Sequence, residues 1–283
     1  LGAQVYEGTG EGSAAKSLGW DYLAGVDDIK QQVEETVMLS LTHPEEFARI
    51  MKGTRAGGGS AGVGSNKPRA VLFEGPPGCG KTSMGRMMAA RAGLPMVYLP
   101  LEAVTSKWYG EGEKRLAQVF ALVEGLAKEG GALLFLDEIE ALAVSRDAEI
   151  HEASRRMLSV LLRSIDGFQS AQGVTVVAAT NRVADIDSAL RSRFDLLIPF
   201  PLPDKRARHA ILHKFTVHLS ERERGVLAGA LEGLSGRNLR EVCEAAERRW
   251  AGKVIRGEAP RGSLPPASEY ESVGKERLRS GLQ

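Results

Sequence analysis

The sequence predicts an α/β protein, a parallel β-sheet sandwiched by helices and followed by a small all-helical subdomain. Five short apolar runs bounded by turn residues alternate with segments whose apolar residues recur at helical spacing. Such runs suit strands buried on both faces, and helical crossovers are what parallel neighbours require. After Pro203 the strand signals stop and only helical periodicity continues.

Taken in order, residues 1–19 are rich in Gly, Ser and Glu, lack apolar periodicity and read as a linker. A helix is expected from Asp27, where Ile29, Val33 and Val37 repeat every four residues. The Gly/Ser-rich stretch 53–68 reads as a mobile loop. The strand candidates follow: "AVLFEG" at 70–75, "MVYLP" at 96–100, "ALLFLD" at 132–137, "VTVVAATN" at 174–181 and "LLIPF" at 196–200. Between them, Met84/Met87/Met88, Leu116/Val119/Phe120/Val123 and Leu158/Leu161/Leu162/Ile165 keep helical spacing. Residues 20–202 are therefore expected to form the sheet-bearing unit and 203–258 a helical one, its pattern including Leu239/Val242/Cys243/Ala246. "GEAPRGSLPPAS" then breaks the chain, leaving 259–283 as a tail with a polar helix from about residue 268.

Composition sets bounds. The 283 residues can bury a sizeable core, and 43% hydrophobic with 26% charged is ordinary globular usage. A net charge of +1 gives no global electrostatic reason to expect nucleic acid or a membrane surface. The two cysteines, Cys79 and Cys243, lie far apart in segments with other roles, which favours a reducing, intracellular setting over a disulfide framework. The compartment is left open between cytoplasm and an organelle lumen such as the plastid stroma or mitochondrial matrix. The longest purely apolar run, "ALLFL" at 132–136, is too short to span a bilayer. Because the chain starts at Leu1 rather than Met, an upstream segment is expected.

The first strand candidate runs into "EGPPGCGKTS", which fits G-x-x-x-x-G-K-[ST] and opens a helix. Glycines let the backbone of Pro77, Gly78, Cys79 and Gly80 fold tightly so that its N–H groups face phosphate oxygens, and the helix N-terminus, with Ser83 in its first turn, adds positive potential. Lys81 would reach the outer phosphates and the Thr82 hydroxyl would ligate Mg²⁺. Cys79 is either a small tolerated residue or, at a helix start, a redox-sensitive thiol. "LLFLDEIEA" supplies the acidic element expected on a neighbouring strand. Asp137, at its end, can hold Mg²⁺ through water, and Glu138 can deprotonate the attacking water.

These stretches, with "VVAATNRVADIDSALRSRFD" and "LSGRNLREVCEAAER", resemble the AAA ATPases, in the branch that includes katanin and spastin. The resemblance covers about residues 20–255 in four ordered motifs. It implies a P-loop NTPase sheet of strand order 5-1-4-3-2, a helical lid, ATP and Mg²⁺ as ligands, and a ring, usually a hexamer, of identical or related subunits. By that resemblance Asn181 is the sensor that positions the lytic water beside Glu138, and Arg191 and Arg193 fall where arginine fingers reach into a neighbour's ATP. Family members often carry Arg where Ser192 and Leu196 stand, so which of the two arginines is the finger stays open. Arg237 sits where related branches place an arginine that senses the γ-phosphate; a solvated helix-start residue is the other reading. "YLAGVDD" resembles the adenine-contacting segment, around Ala24 and Gly25, with Gly236 of the lid opposite.

"VTSKWYGEGEKR" at 104–115 sets two aromatics on a glycine-backed loop that no helix or strand face would bury. In the family this loop projects into the central channel, and Lys107, Trp108 and Tyr109 would grip an unfolded polypeptide by area burial without reading its sequence. A second channel loop is expected within 145–156, with His151, Glu152 and Arg155 facing substrate or neighbour. The leading expectation is an ATP-driven remodeller that threads a protein substrate, delivered directly or by an adaptor, through the ring. Microtubule severing, an ATP-stabilised scaffold and a nucleic-acid motor are the alternatives, the last disfavoured by near-neutral charge.

Overall fold

The computed structural model describes residues 2–6, 20, 23–54, 68, 70–103, 111–142, 148–168 and 173–281. The chain divides into two compact units, the first comprising Leu1–Trp20, Asp28–Gly75 and Lys81–Pro199, the second Asp21–Asp27, Pro76–Gly80 and Phe200–Gln283.

The first unit is built on a six-stranded sheet. Its strands are β1 (Gln4–Tyr6), β2 (Ala70–Glu74), β3 (Met96–Pro100), β4 (Ala132–Asp137), β5 (Val174–Thr180) and β6 (Leu196–Pro199), in the spatial order β1-β3-β4-β5-β2-β6. The five strands read from sequence are parallel to one another, and their order is the one the family resemblance implies. β5, between β4 and β2, is buried at every residue, as a central parallel strand covered on both faces must be. Alternation then sorts side chains to the two faces. Leu72, Leu134, Leu136, Val176 and Ala178 join Leu116, Val119 and Val123 of α5 (Glu111–Ala127) and Leu161 and Ile165 of α6 (Ala148–Phe168) in one core. The intervening Phe73 and Phe135 meet edge to face at 6.3 Å on the opposite side, where α4 (Lys81–Ala92) lies. Gly85 of α4 faces the Phe135 ring so closely that a methyl group there would overlap it. That glycine lets the helix approach β4 and sets the depth at which Lys81 and Thr82 begin.

Two departures from the sequence reading concern the N-terminal half. Gln4–Tyr6 lies in the segment read as linker, yet it is a strand, antiparallel to β3 with Val5 opposite Val97. Three residues carry no detectable period, and Val5 is 48% exposed, so only backbone pairing defines this edge. The helix read from Asp27 is α1 (Asp27–Val33), a π turn (Glu34–Met38) and α2 (Leu39–Thr42), followed by α3 (Pro44–Thr54). The wider turn shifts the helical phase, so that Val33, Val37 and Met38 are all fully buried. Farther along, the stretch 145–156 read as a channel loop is helical from Ala148, and Arg155 is exposed on that helix. Its Ala-, Glu- and Arg-rich composition favours helix. The 53–68 loop falls almost wholly outside the described residues, as do Lys107, Trp108 and Tyr109.

The second unit packs α8 (Lys205–Phe215), α9 (Glu221–Ala230), α10 (Gly236–Ile255) and α11 (Ala267–Arg279) around Leu212, Leu227, Leu231, Leu239, Val242, Cys243 and Ala246. The fully buried Tyr270 carries α11 into this same core. Side-chain caps define the helix starts: Asp204 accepts from the Ala207 N–H at 2.7 Å, Ser220 and Glu223 form a capping box, and Ser235 accepts from the Asn238 N–H at 3.3 Å. Among the described residues no helix is long and apolar enough to cross a membrane.

Candidate functional site

Parallel pairing puts the C-terminal ends of β2, β4 and β5 along one edge of the sheet, the place where open α/β sheets bind ligands. α4 starts at that edge. Lys81, its first residue, is only 6% exposed, and its Nζ donates to the Gly75 carbonyl at 2.5 Å and to Asn181 Oδ1 at 2.9 Å. An ammonium held this deep needs oxygen acceptors around it, and phosphate oxygens offer the same chemistry. Asn181, just past β5, is fixed in turn by its N–H, which donates to Glu140 Oε1 at 3.0 Å.

Thr82 places its hydroxyl 2.8 Å from Asp137 Oδ2, to which it donates. Tyr98 of β3 donates its phenolic hydroxyl to the same oxygen at 3.1 Å, and the Glu138 N–H donates to Oδ1 at 3.1 Å. Glu138 has a φ of 56°, the single non-glycine in the left-handed region among the described residues. That conformation is costly for a side chain, and such outliers cluster at functional sites. Burial first, then the charges of Glu102, Asp137 and Glu140, push the Glu138 carboxyl above the ordinary glutamate value of 4.5. The Tyr98 phenol is also pushed up, by burial first and then by the Asp137 charge and hydrogen bond. The geometry thus gathers a buried cation, an oxygen pair suited to a hard metal ion, and a carboxylate made more basic by its surroundings.

The glycine-rich loop belongs, from Pro76 to Gly80, to the second unit. There the Arg237 N–H, in the first turn of α10, donates to the Gly78 carbonyl at 3.1 Å. Gly78 has φ +78°, and a side chain on it would lie 2.6 Å from Ser235 Oγ, so glycine is required twice over. Gly236 adjoins the same carbonyl, whereas the Arg237 side chain is exposed. Cys79 is buried, Pro77 exposed, Gly80 and Ser83 half-buried. Ala24 and Gly25 are half-buried, and a Cβ on Gly25 would come within 2.7 Å of the Ala207 backbone, which seats this segment on α8.

The two candidate arginines differ. Arg193 Nε and Nη2 bond both oxygens of Asp166 at 3.2 Å each, and Nη1 donates to the Ala189 carbonyl at 3.0 Å. Arg191 ends the short helix α7 (Ser188–Arg191) and is exposed. The sequence reading missed Tyr98, Glu140 and Glu102. Their signal was available only once the strand order was known: β3 lies beside β4 with Pro100 opposite Asp137, so a tyrosine two residues earlier on the same face can reach that carboxylate.

Residues 71–202 match the ATPase family associated with various cellular activities (AAA). A mitochondrial sorting homolog of Caenorhabditis elegans is 30% identical over 272 residues, covering 92% of this chain and 73% of that protein. Spastin of Naegleria gruberi is 34% identical over 237 residues, 81% of this chain and 42% of its own length. Among solved structures, the FIGL-1 AAA domain in complex with ADP superimposes with a TM-score of 0.72 at 26% identity, covering 93% of this chain and 88% of that one.

Proposed function

The chain belongs to the AAA family of ATPases, and from that premise we propose that it is an ATP-hydrolysing ring motor that remodels proteins by drawing polypeptide through a central pore. The observation that carries the hydrolytic part is Glu138, held in a strained backbone conformation beside the Thr82–Asp137 pair with its carboxyl pushed up.

In this reading ATP is bound by the 76–83 loop and helix start, with Lys81 on the outer phosphate oxygens. Glu138 accepts a proton from the attacking water while Asn181 orients that water; the water oxygen bonds to the γ-phosphorus as the bond to the bridging oxygen breaks. Thr82 and Asp137 offer two hard oxygens, which fit Mg²⁺. Mg²⁺ held by so few protein oxygens would take its remaining ligands from nucleotide and water. When bound, Mg²⁺ neutralises charge on the phosphates. Arg191 or Arg193 acts on the neighbouring subunit's nucleotide, Arg237 reports nucleotide state within its own chain, and Ala24, Gly25 and Gly236 line the adenine. Lys107, Trp108 and Tyr109 grip the substrate; the likeness to spastin supports a remodelling role and leaves the polymer's identity to experiment.

Glu138→Gln tests the hydrolytic assignment. The variant is expected to retain ATP and lose turnover by about 10²- to 10⁴-fold; unchanged steady-state turnover refutes it. Trp108→Ala tests threading: ATP binding is expected to persist while unfolding of a fluorescent protein substrate is lost, and normal unfolding by that variant overturns the grip.

A further inference from the structure

We infer that Tyr98 is a positioning residue for Asp137 and that strand β1 forms part of its support; this rests on the nucleotide site proposed above. Tyr98 pairs with Phe135 in the β3–β4 register, and the two rings stack at 6.1 Å. That stacking directs the hydroxyl along the strand to Asp137 Oδ2, 3.1 Å away. The other donor to Oδ2 is the Thr82 hydroxyl, which the proposed cation also claims, whereas among the described residues the Tyr98 hydroxyl bonds to Asp137 alone. The Asp137 carboxylate has the Glu138 charge beside it, and a fixed neutral donor on Oδ2 decides which way its oxygens face.

The far side of the Tyr98 ring is held by residues from two other elements. The Arg86 guanidinium of α4 lies 4.7 Å from the Tyr6 ring centroid and 5.9 Å from that of Tyr98. Arg86 Nη2 donates to the Tyr6 hydroxyl at 2.9 Å, and the Tyr6 and Tyr98 rings meet edge to face at 6.5 Å. Tyr6 is the last residue of β1, opposite Met96 on β3. A chain of contacts therefore runs from the outermost strand through Arg86 and Tyr98 to the carboxylate beside the phosphate loop's threonine.

The test uses the full chain and fluorescent N-methylanthraniloyl-ADP, titrated with Mg²⁺ and with EDTA. Tyr98→Phe keeps the stacked ring and removes the hydroxyl. The gain in ADP affinity on adding Mg²⁺ is expected to fall about tenfold, with affinity in EDTA unchanged. In an Asp137→Asn background the same substitution is expected to do nothing further. An unaltered Mg²⁺-dependent gain in Tyr98→Phe, or equal effects in both backgrounds, overturns the inference. If Tyr98→Phe lowers folding so far that binding cannot be read, Tyr6→Phe, which leaves Tyr98 in place, is expected to reduce the same gain about threefold, and no reduction counts against it. Lys81→Ala separates the two readings: if it binds ADP as wild type does, the nucleotide site itself is misassigned.

Discussion

Arg193 and Asp166 are joined by a two-pronged ion pair, Nε to one carboxylate oxygen and Nη2 to the other, both at 3.2 Å, while Arg191 two residues earlier stands exposed. Side-chain exposures of 31% and 42% discount the pair's worth to about 0.5–1 kcal/mol. Arg193→Ala is therefore expected to lower urea stability by that amount, and Arg191→Ala to change it by less than about 0.5 kcal/mol. In turnover the arginines are expected to act across subunits. An Arg191→Ala/Arg193→Ala chain mixed with a Lys81→Ala chain should regain part of the activity that each lacks alone, since a trans arginine is worth on the order of 10³ to 10⁵ in rate. Absence of any rescue would argue for chemistry confined to one chain.

Gly85→Ala tests the close approach of α4 to β4. The added methyl group overlaps the Phe135 ring, which is fully buried. A loss of about 1–3 kcal/mol is expected from thermal or urea unfolding. ADP affinity should fall with it, because Thr82 and Lys81 open the same helix.

Glu138 links stability to pH with a definite sign. Its carboxyl is raised in the folded chain by burial and by neighbouring acids, so the folded state takes up the proton more readily than the unfolded one. The charged form then costs stability above the folded pKa, and that cost is relieved as pH falls through it towards the ordinary value of 4.5. Glu138→Gln, free of nucleotide and metal, is expected to melt at a higher temperature than wild type near pH 8, with the gap closing as pH falls to about that value.

Both cysteines are buried and form no disulfide. Burial first, then the charges of Glu247 and Glu244, push the Cys243 thiol up to about 12, so almost none of it is thiolate at neutral pH. Iodoacetamide at pH 8 is expected to leave Cys243 unmodified in the native chain and to label it after denaturation. Rapid native labelling would mean that the α8–α11 core opens readily.

Much of this was legible beforehand because the strongest signals are local. The five parallel strands are continuous apolar runs, and the phosphate loop is a contiguous motif, so "AVLFEG" and "EGPPGCGKTS" identify themselves without tertiary information. What escaped depends on the partner. Tyr98 reads as one more strand aromatic until β4 is set beside β3. Tyr6 sits in a three-residue strand whose only definition is its pairing. Arg237 drew notice for its side chain, yet the contact the structure gives it is through its backbone N–H to Gly78. The polar helix at the C-terminus is anchored by the fully buried Tyr270, with Ala267, Val273 and Leu278 packed against the same core.

Strand β1 also has a protective effect. Without Gln4–Tyr6, the outer row of amide and carbonyl groups on Met96–Tyr98 would face solvent unpaired, a template on which any extended chain could add itself. Three residues of backbone replace the five-residue border of β3 with a shorter one, so trimming the N-terminal segment past Tyr6 would expose a longer, stickier flank and promote self-association even if the nucleotide pocket were left whole.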